Sequence, residues 1–211
     1  VYFRNYGSGM ISSISMRGTA PHHTSVLWNG IAINSFSLGQ ADFSLLPGVA
    51  FADVKVHTGG GSAMFGSGAL GGSVLLTSSA SVSKSLLLIQ EAGSFGKLFS
   101  AVRAGMDKDK WELLTTAYRH GAENNFPVSG TGQRQDHASY LQQGITQDVI
   151  FNLTPAQSIS AHYWLHDADR QIQPTIGQRN SQDEQQDRNH RLLIQYKNSG
   201  SLQAFAGTAG F

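Results

Sequence analysis

The second half of the chain alternates hydrophobic and polar residues with a period of two. In residues 158–166, every second residue from Ile159 to Leu165 is apolar or aromatic, and Ser, His and Trp lie between them. The same alternation recurs in residues 191–197 and, interrupted by Gln143 and Gln147, in residues 140–153. This period predicts β-strands with one apolar and one polar face, each roughly ten residues long.

The connections between these segments alternate in length. Three are short, at residues 107–110, 154–157 and 198–201, and two are long and polar, at residues 123–138 and 167–187. Short turns at one end and long loops at the other are typical of outer-membrane β-barrels, which close on themselves and turn apolar side chains to lipid. We predict about seven antiparallel strands of such a barrel, whose unpaired edges require further chain for closure.

A soluble β-sandwich or β-solenoid would also produce alternating strands. The polar faces are rich in Gln, Asn and His, which suit a polar lumen better than the core of a sandwich. We therefore favour the barrel. A soluble β-rich binding or adhesion domain is kept as the alternative of another class.

The first 80 residues have a different composition. They contain 13 of the 24 glycines and only five formal charges, whereas residues 81–211 carry the other 24. This shift predicts two differently built regions, the first with tight turns and close backbone approaches.

A glycine run in the first region has the spacing of a nucleotide-binding loop. Residues 66–71 read G-x-G-x-x-G, and Glu91 follows about 20 residues later, where a ribose-binding acid is expected. Such a loop must open a helix, because the helix N-terminus holds the pyrophosphate. Residues 72–81 are short, rich in serine and β-branched side chains, and predict a strand running into a loop. We therefore expect no nucleotide at this site.

Overall composition excludes several function classes. The net charge is +1, so nothing indicates a nucleic-acid partner. The absence of cysteine removes disulfides, thiolate catalysis and cysteine metal sites. The longest aliphatic run, residues 86–89, is far shorter than the ~18 residues of a membrane helix. Because the chain opens on Val1 without an initiator methionine, we interpret it as a piece of a longer protein.

Isolated histidines and aromatic residues have ordinary explanations. The sequence around His120 contains the Arg-His-Gly of histidine phosphatases, but the loop-forming Asn-Asn-Phe-Pro follows, so we predict a strand. His22, His23 and His57 lack a third ligand at helical or hairpin spacing. We predict that Trp28 packs within a strand. We predict that Trp111 lies in an aromatic girdle. These positions add no catalytic centre.

Three carboxylates form a weak candidate site for structural calcium. Asp183, Glu184 and Asp187 lie in the second long polar segment, and Ca²⁺ takes hard oxygen ligands. A solvated loop is the simpler interpretation of such a short cluster. We therefore predict no cofactor.

Four motifs in the first region resemble the plug (hatch) domain of TonB-dependent outer-membrane receptors. The plug's I-R-G strand end is matched by "SMRG" from Ser15, and its V-L-x-D-G-x-x-x-N hairpin by "VLWNGIAIN" from Val26. The segment before the next strand is matched by "DFSLLP" from Asp42. The family's strongest signature, E-V-x-x-G-x-x-S-A-x-Y-G-x-x-A-x-G-G-x-I-N-I-x-T, is matched by "VKVHTGGGSAMFGSGALGGSVLLTS" from Val54.

Several positions depart from the family pattern, and three of them are named here. Asn29 stands where most members have Asp, Lys55 takes the usual Glu place, and Phe65 replaces Tyr. The resemblance implies that residues 1–83 are the C-terminal part of the plug. Residues 84–211 are then the first strands of a 22-stranded transmembrane β-barrel, a size class whose lumen is plugged. The glycine run becomes a plug turn that packs against the barrel wall.

Within the family, the plug is most similar to that of the vitamin B12 (cobalamin) receptors. The G-S-G-x-x-S-S run begins at Gly7, the I-R-G-T motif stands as M-R-G-T from Met16, and His23 follows four residues after its Thr. The resemblance implies that two apical loops bind ligand. The candidate residues are Met10, Ile11, Ser12, Ser13, Asn34, Ser35, Phe36, Ser37, Leu38, Gly39 and Gln40.

The resemblance implies an outer-membrane importer of a Gram-negative bacterium and not an enzyme. Its ligand would be a corrinoid, and the alternative is a ferric siderophore. The candidate residues contain no Lys or Arg, which favours a neutral ligand over an anionic iron chelate. Expected partners are outer-membrane lipid and the TonB–ExbB–ExbD complex, which would pull an N-terminal segment that precedes Val1.

Overall fold

The computed structural model describes residues 1–66, 68–78, 84–174 and 182–199, and the backbone of 205–210. The chain divides into two compact units, Val1–Ala80 and Ser81–Phe211. The predicted domain boundary after residue 83 stays a prediction, because residues 79–83 lie outside the described residues.

The first unit contains two small sheets. In the two-stranded sheet, β1 pairs antiparallel with β2, and in the four-stranded sheet the order is β4-β3-β6-β5, with β3 and β6 parallel. The strands are β1 (Tyr2–Asn5), β2 (Ser12–Ser15), β3 (Thr24–Trp28), β4 (Ile31–Ala32), β5 (Asp53–Thr58) and β6 (Gly72–Thr77).

The core of the first unit lies at the two parallel strands. Every residue of β3 is buried, and most of β6 is buried as well. Strands covered on both faces read as continuous hydrophobic or small-residue runs, which is why β3 shows no alternation. The side chain of Trp28 is 1% exposed, which confirms its predicted packing role.

Helical structure in the described part of the first unit is confined to short pieces. The α-helix α1 (Ser62–Phe65) has four residues, and 3-10 turns cover Pro21–His23, Phe43–Leu45 and Gly48–Ala50. Within the described residues, no helix has the length and apolar character needed to cross a membrane.

The glycine run leads into a strand, as predicted. Gly72 begins β6, directly after the last glycine of the G-x-G-x-x-G spacing. A side chain at Gly71 would collide with Thr19, and one at Gly72 with the backbone of His57. Glycine is therefore required here by close approach within the same unit. The nucleotide-binding interpretation is excluded, because a strand stands where the phosphate-binding helix would have to begin.

The second unit is one antiparallel meander of seven strands. Consecutive strands are neighbours throughout, and the β10–β11 register is continuous except for one irregularity between Asn152 and Thr154. The strands are β7 (Ser85–Ala92), β8 (Leu98–Lys108), β9 (Trp111–Ala122), β10 (Tyr140–Thr154), β11 (Gln157–Gln171), β12 (Glu184–Asn198) and β13 (Phe205–Gly210).

One predicted loop is wrong in its bounds. The first long loop lies between β9 and β10 as expected, but residues 167–171 and 184–187 belong to β11 and β12. Their polar side chains form cross-strand ion pairs, Arg188–Asp167 at 3.2 Å and Arg170–Asp187 at 3.1 Å. Opposite charges on neighbouring strands stabilise a sheet. These polar residues therefore lie in strands, although their composition suggested a loop.

The two faces of the meander differ in polarity and burial. One face, called the inner face below, carries mainly polar side chains that are buried. Its most buried members are Leu114, Thr116, Tyr118, Gln142, Thr146, Asp148, His162, Trp164, His166, Arg170 and Leu193. The opposite, outer face carries exposed apolar side chains, which include Leu86, Leu88, Leu98, Met106, Trp111, Ile159, Leu192 and Ile194.

The inner face is organised around a tyrosine that lies over a glycine. Tyr118 and Gly144 are paired in the β9–β10 register, and the Tyr118 side chain crosses the space above Gly144. The Tyr118 hydroxyl lies 2.7 Å from Nδ1 of His166 and accepts the indole N–H of Trp164 at 3.4 Å. The guanidinium of Arg191 covers the Trp164 ring at 4.5 Å.

Candidate ligand-binding site

The β1–β2 hairpin forms the first candidate loop. Its turn is closed by the N–H of Gly7, which donates to Oδ1 of Asn5 at 2.8 Å, and by the N–H of Met10, which donates to the Gly7 carbonyl at 3.1 Å. Gly9 has φ +76°, a conformation that glycine adopts without steric cost. The Gly-Ser-Gly run thus specifies a tight turn that leads directly into Met10 and Ile11.

A carboxylate from another segment fixes the end of this loop. The N–H of Ser12 donates to Oδ1 of Asp42 at 2.9 Å, and the same oxygen accepts from the N–H and hydroxyl of Ser44. Ser12 is 3% exposed and Ser13 is 6% exposed. Ser12 therefore anchors the loop through its backbone.

Asn34 holds the second candidate loop from behind. Its Oδ1 accepts the N–H of Val26 at 2.8 Å, and its Nδ2 donates to the carbonyls of Thr24 at 2.9 Å and Gly39 at 3.0 Å. The loop closes with the N–H of Ser35 donating to the Gln40 carbonyl at 3.0 Å. One amide side chain therefore joins the loop to a buried strand.

The middle of the second loop is open to solvent. Ser35 and Ser37 share a hydroxyl–hydroxyl hydrogen bond of 3.0 Å. Phe36 is fully exposed, and Leu38 is 61% exposed. Two exposed apolar side chains on an anchored loop offer contact area to a ligand or to another surface.

A concave pocket of about 380 Å³ brings parts of the two loops together. Of the candidate residues, Ile11, Ser13 and Gln40 line it. The other candidates, Met10, Ser12 and residues 34–39, do not. The remaining lining side chains are Tyr2, Arg4, Tyr6, Ser15, Thr19 and Pro21.

Sequence reasoning missed the β1 side of this pocket. Phe3 points to the opposite face and packs edge-on against Phe43, with ring centroids 6.1 Å apart. Tyr2 and Arg4 therefore share the pocket face. The signal was present as a period-two pattern in the first six residues, but the pairing of β1 with β2 was needed to place it.

Arg4 is the cation of the pocket. Its Nη1 donates to the Tyr6 hydroxyl at 3.1 Å, and its guanidinium carbon lies 5.6 Å from the Tyr2 ring centroid and 5.8 Å from that of Tyr6. Hydrogen bonding to Tyr6 and then to Tyr2 raises the pKa of Arg4 further above its usual value. The group is therefore cationic at every physiological pH.

One of the three candidate calcium ligands has another partner for its carboxylate, and two of the three lie in a strand. Asp187 pairs with Arg170, and the backbone carbonyl of Asp183 contacts Nε2 of His137 at 2.9 Å. Glu184 and Asp187 lie in strand β12, not in a loop. Across the described part of the chain, no group of three or more His, Cys, Asp or Glu side chains has metal-binding geometry. The predicted absence of a cofactor stays untested, and so does the weak calcium candidate.

Three histidines that the sequence singled out contact other side chains. His120 lies within β9, as predicted, and its Nε2 is 3.0 Å from the Tyr140 hydroxyl. His22 and His23 contact each other edge-on, with ring centroids 4.2 Å apart. The next element after β9 is strand β10, so the helix that a phosphatase-like site needs after its histidine is replaced by a loop and a strand.

Comparison with known proteins matches the first unit to a described family. Residues 1–73 match the TonB-dependent Receptor Plug Domain. The vitamin B12 transporter BtuB of Photobacterium profundum is 24% identical over 181 residues, covering 84% of this chain and 30% of the relative. BtuB of Vibrio vulnificus is 46% identical over 66 residues, 31% of this chain and 11% of the relative. The chain thus spans less than a third of these relatives.

Solved structures share the fold at low sequence identity. The copper transporter OprC has a TM-score of 0.77 at 16% identity and covers 98% of this chain and 32% of its own. The siderophore receptor PiuA from Acinetobacter baumannii has a TM-score of 0.68 at 20% identity, covering 92% of this chain and 29% of its own.

The plug match and the strand meander together define the class of protein. The chain is similar to TonB-dependent receptors, with plug sequence in residues 1–73 followed by antiparallel strands. Among these receptors it lies near the vitamin B12 receptors. The predicted family and fold class are thereby confirmed, while the total of 22 strands stays a prediction.

Proposed function

We propose that the whole protein imports a corrinoid, such as cobalamin, across the outer membrane of a Gram-negative bacterium. The observation that carries the proposal is the convergence of two predicted loops on one pocket, through Ile11, Ser13 and Gln40. Two vitamin B12 transporters among the relatives support the corrinoid as the ligand. Recognition and transport require no covalent chemistry from the protein, so we propose a receptor and not an enzyme.

The anchoring of the loops suits a receptor for a scarce ligand. Asp42 fixes the end of the first loop, and Asn34 fixes the second. A loop that is ordered before binding loses less conformational entropy when the ligand arrives, so more of the contact energy appears as affinity. We therefore assign Asp42 and Asn34 to positioning, and Ile11, Ser13, Phe36, Leu38 and Gln40 to ligand contact.

Exposed apolar side chains on the outer face support a membrane location. At the short-turn end, the Trp111 and Phe151 rings contact each other at 4.5 Å, and the cross-strand register continues through Ile159 to Tyr196. Aromatic residues concentrate where lipid meets water. We propose that this row marks the periplasmic edge of the lipid-facing surface.

Energy would come from outside the chain. We propose that a TonB–ExbB–ExbD complex pulls an N-terminal segment of the whole protein and opens a path past the plug. The plug match supports this partner for the class of protein.

One observation favours a second candidate, a ferric-siderophore receptor. The predicted loop residues contain no Lys or Arg, whereas Arg4 of β1 lines the pocket beside three of them. A cation favours an anionic iron chelate. The plug match removes the soluble adhesion domain from consideration.

Import assays separate these candidates. Cells that lack their own cobalamin receptor and express the whole protein should take up labelled cyanocobalamin only when TonB is present. Uptake of a ferric chelate without uptake of cyanocobalamin would replace the corrinoid by a siderophore. Uptake of neither ligand would refute the assignment to both.

A further inference from the structure

Arg4 gives the candidate pocket a charge that the loops alone do not have. The pocket lining contains one arginine and no Asp or Glu among the described residues. Asp42, whose carboxylate holds the end of the first loop, accepts hydrogen bonds from Ser12 and Ser44. The cation therefore faces the cavity without a carboxylate in the lining to neutralise it.

Two tyrosines position the guanidinium group. Tyr2 and Tyr6 flank it at 5.6 and 5.8 Å, and the Tyr6 hydroxyl accepts one of its N–H donors. A guanidinium has five donors in a planar fork that suits carboxylate and phosphate oxygens. Hydrogen bonds to Tyr6 and Tyr2 use two of these donors, so the fork keeps three for an incoming oxyanion.

Uncharged donors and apolar surface surround this cation. Ser13, Ser15, Thr19 and Gln40 line the pocket on the side of β2 and the second loop, and the Thr19 hydroxyl donates to the Met16 carbonyl at 2.8 Å. Tyr2 and Tyr6 are more than half exposed and add aromatic surface beside the charge. Such a lining matches a ligand that carries an anionic oxygen group next to a flat or apolar body.

We propose that Arg4, flanked by Tyr2 and Tyr6, binds a phosphate or carboxylate group of the imported ligand and is a specificity-determining residue. This inference rests on the proposed function, because it assigns a chemical group of the ligand to one side of the same pocket. In a corrinoid the group is the phosphodiester of the nucleotide arm. In an iron chelate it is a carboxylate or catecholate oxygen.

Paired ligands that differ in the anionic group test this inference. The whole receptor in detergent is titrated with cyanocobalamin and with dicyanocobinamide, which has the same corrin without the phosphodiester arm. An anionic ferric tris-catecholate and a neutral ferric tris-hydroxamate form the second pair. The variants are Arg4→Gln, Arg4→Lys and the control Lys55→Gln, which removes one exposed positive charge of the same unit outside the pocket.

Selective loss of the anionic ligand is the expected result. Arg4→Gln should lower the affinity for cyanocobalamin by roughly ten- to a hundredfold, which is the range for a hydrogen bond to a charged group. Its affinity for dicyanocobinamide should be almost that of the wild type. The affinity of Arg4→Lys for cyanocobalamin should lie between those of the wild type and Arg4→Gln, because lysine keeps the charge and lacks the planar fork of donors. Lys55→Gln should match the wild type with every ligand.

Other outcomes overturn the inference and separate it from the proposed function. Equal weakening of both corrinoids by Arg4→Gln would make Arg4 a structural residue, and no weakening would remove it from the site. If the wild type binds the ferric chelates and no corrinoid, the corrinoid proposal fails. The role of Arg4 is then supported only if Arg4→Gln loses affinity for the tris-catecholate and keeps its affinity for the tris-hydroxamate. A wild type that binds none of the four ligands would overturn both.

Discussion

Replacing Gly144 by alanine should destabilise the strand meander through one side-chain displacement. A Cβ at this position would lie closer to the Tyr118 hydroxyl and to the Leu165 carbonyl than real Cβ atoms come to other atoms. Tyr118 would have to leave the position in which its hydroxyl contacts Nδ1 of His166 at 2.7 Å. The indole N–H of Trp164 would lose its acceptor in the same step.

The opposing effects can be compared by magnitude. Alanine restricts the unfolded chain more than glycine does, which favours the variant by about 0.4–1 kcal/mol. Forcing a methyl group into a packed site costs about 1–3 kcal/mol, and leaving buried donors or acceptors unsatisfied costs a further ~1–3 kcal/mol. Steric displacement therefore dominates, and we expect a net loss of roughly 2 kcal/mol or more in the free energy of unfolding.

Denaturant unfolding of the whole receptor in detergent provides the measurement. Tryptophan fluorescence follows the unfolding, and its difference between a Trp164→Phe background and the parent isolates the signal of Trp164, which is fully buried beside Tyr118. The matched control is Gly48→Ala, where a Cβ meets nothing within 4 Å and φ is not positive. Tyr118→Phe removes only the hydroxyl and isolates the hydrogen-bond part of the loss.

A double-mutant cycle tests the mechanism itself. In a Tyr118→Ala background, Gly144→Ala should cost clearly less than in the wild type, because the displaced side chain is gone and only the Leu165 carbonyl still opposes the methyl group. If Gly144→Ala is as stable as Gly48→Ala, or costs the same in both backgrounds, then contact between Tyr118 and the new methyl group is not what makes glycine necessary.

Three further predictions concern the loops and the outer face. Asp42→Ala should cost about 1–2 kcal/mol, because the Ser12 N–H loses its acceptor, and should speed protease cleavage near the first loop; unchanged cleavage would contradict the anchoring role. Asn34→Ala should lower both the thermal stability and the ligand affinity, whereas Phe36→Ala should lower the affinity alone. Thermal melting and ligand titration measure the two quantities. A loss of stability in Phe36→Ala would show that Phe36 packs against the protein instead. Ile194→Arg on the outer face should cost about 2–4 kcal/mol in a bilayer and reduce the folded fraction in heat-shift electrophoresis; full recovery would show that this face does not contact lipid.

The strands could be predicted from the sequence because their pattern is local. Alternation in residues 158–166 follows from the two faces of a single strand, and it needs no knowledge of neighbours. The strand after the glycine run was also predictable, since β-branched residues and the lack of helix formers decide it locally. The confirmed meander rests on these local signals.

Features that depend on pairing between distant residues could not be predicted. Asp167 and Asp187 were predicted as loop residues because their charges are paired only across β11 and β12. Arg4 was outside the predicted site because only the pairing of β1 with β2 brings it beside Ser13. In both places a polar residue acquired its role from a partner that sequence spacing does not reveal.

The anchoring of the second loop by Asn34 separates the stability of the loop from the identity of its exposed side chains. The second loop is secured through its first residue, whose amide reaches the buried strand β3 and the loop's own Gly39 carbonyl. Phe36 and Leu38 project outward and contribute little to holding the loop. Substitutions at these two positions can therefore change the exposed surface of the loop while the scaffold keeps its stability.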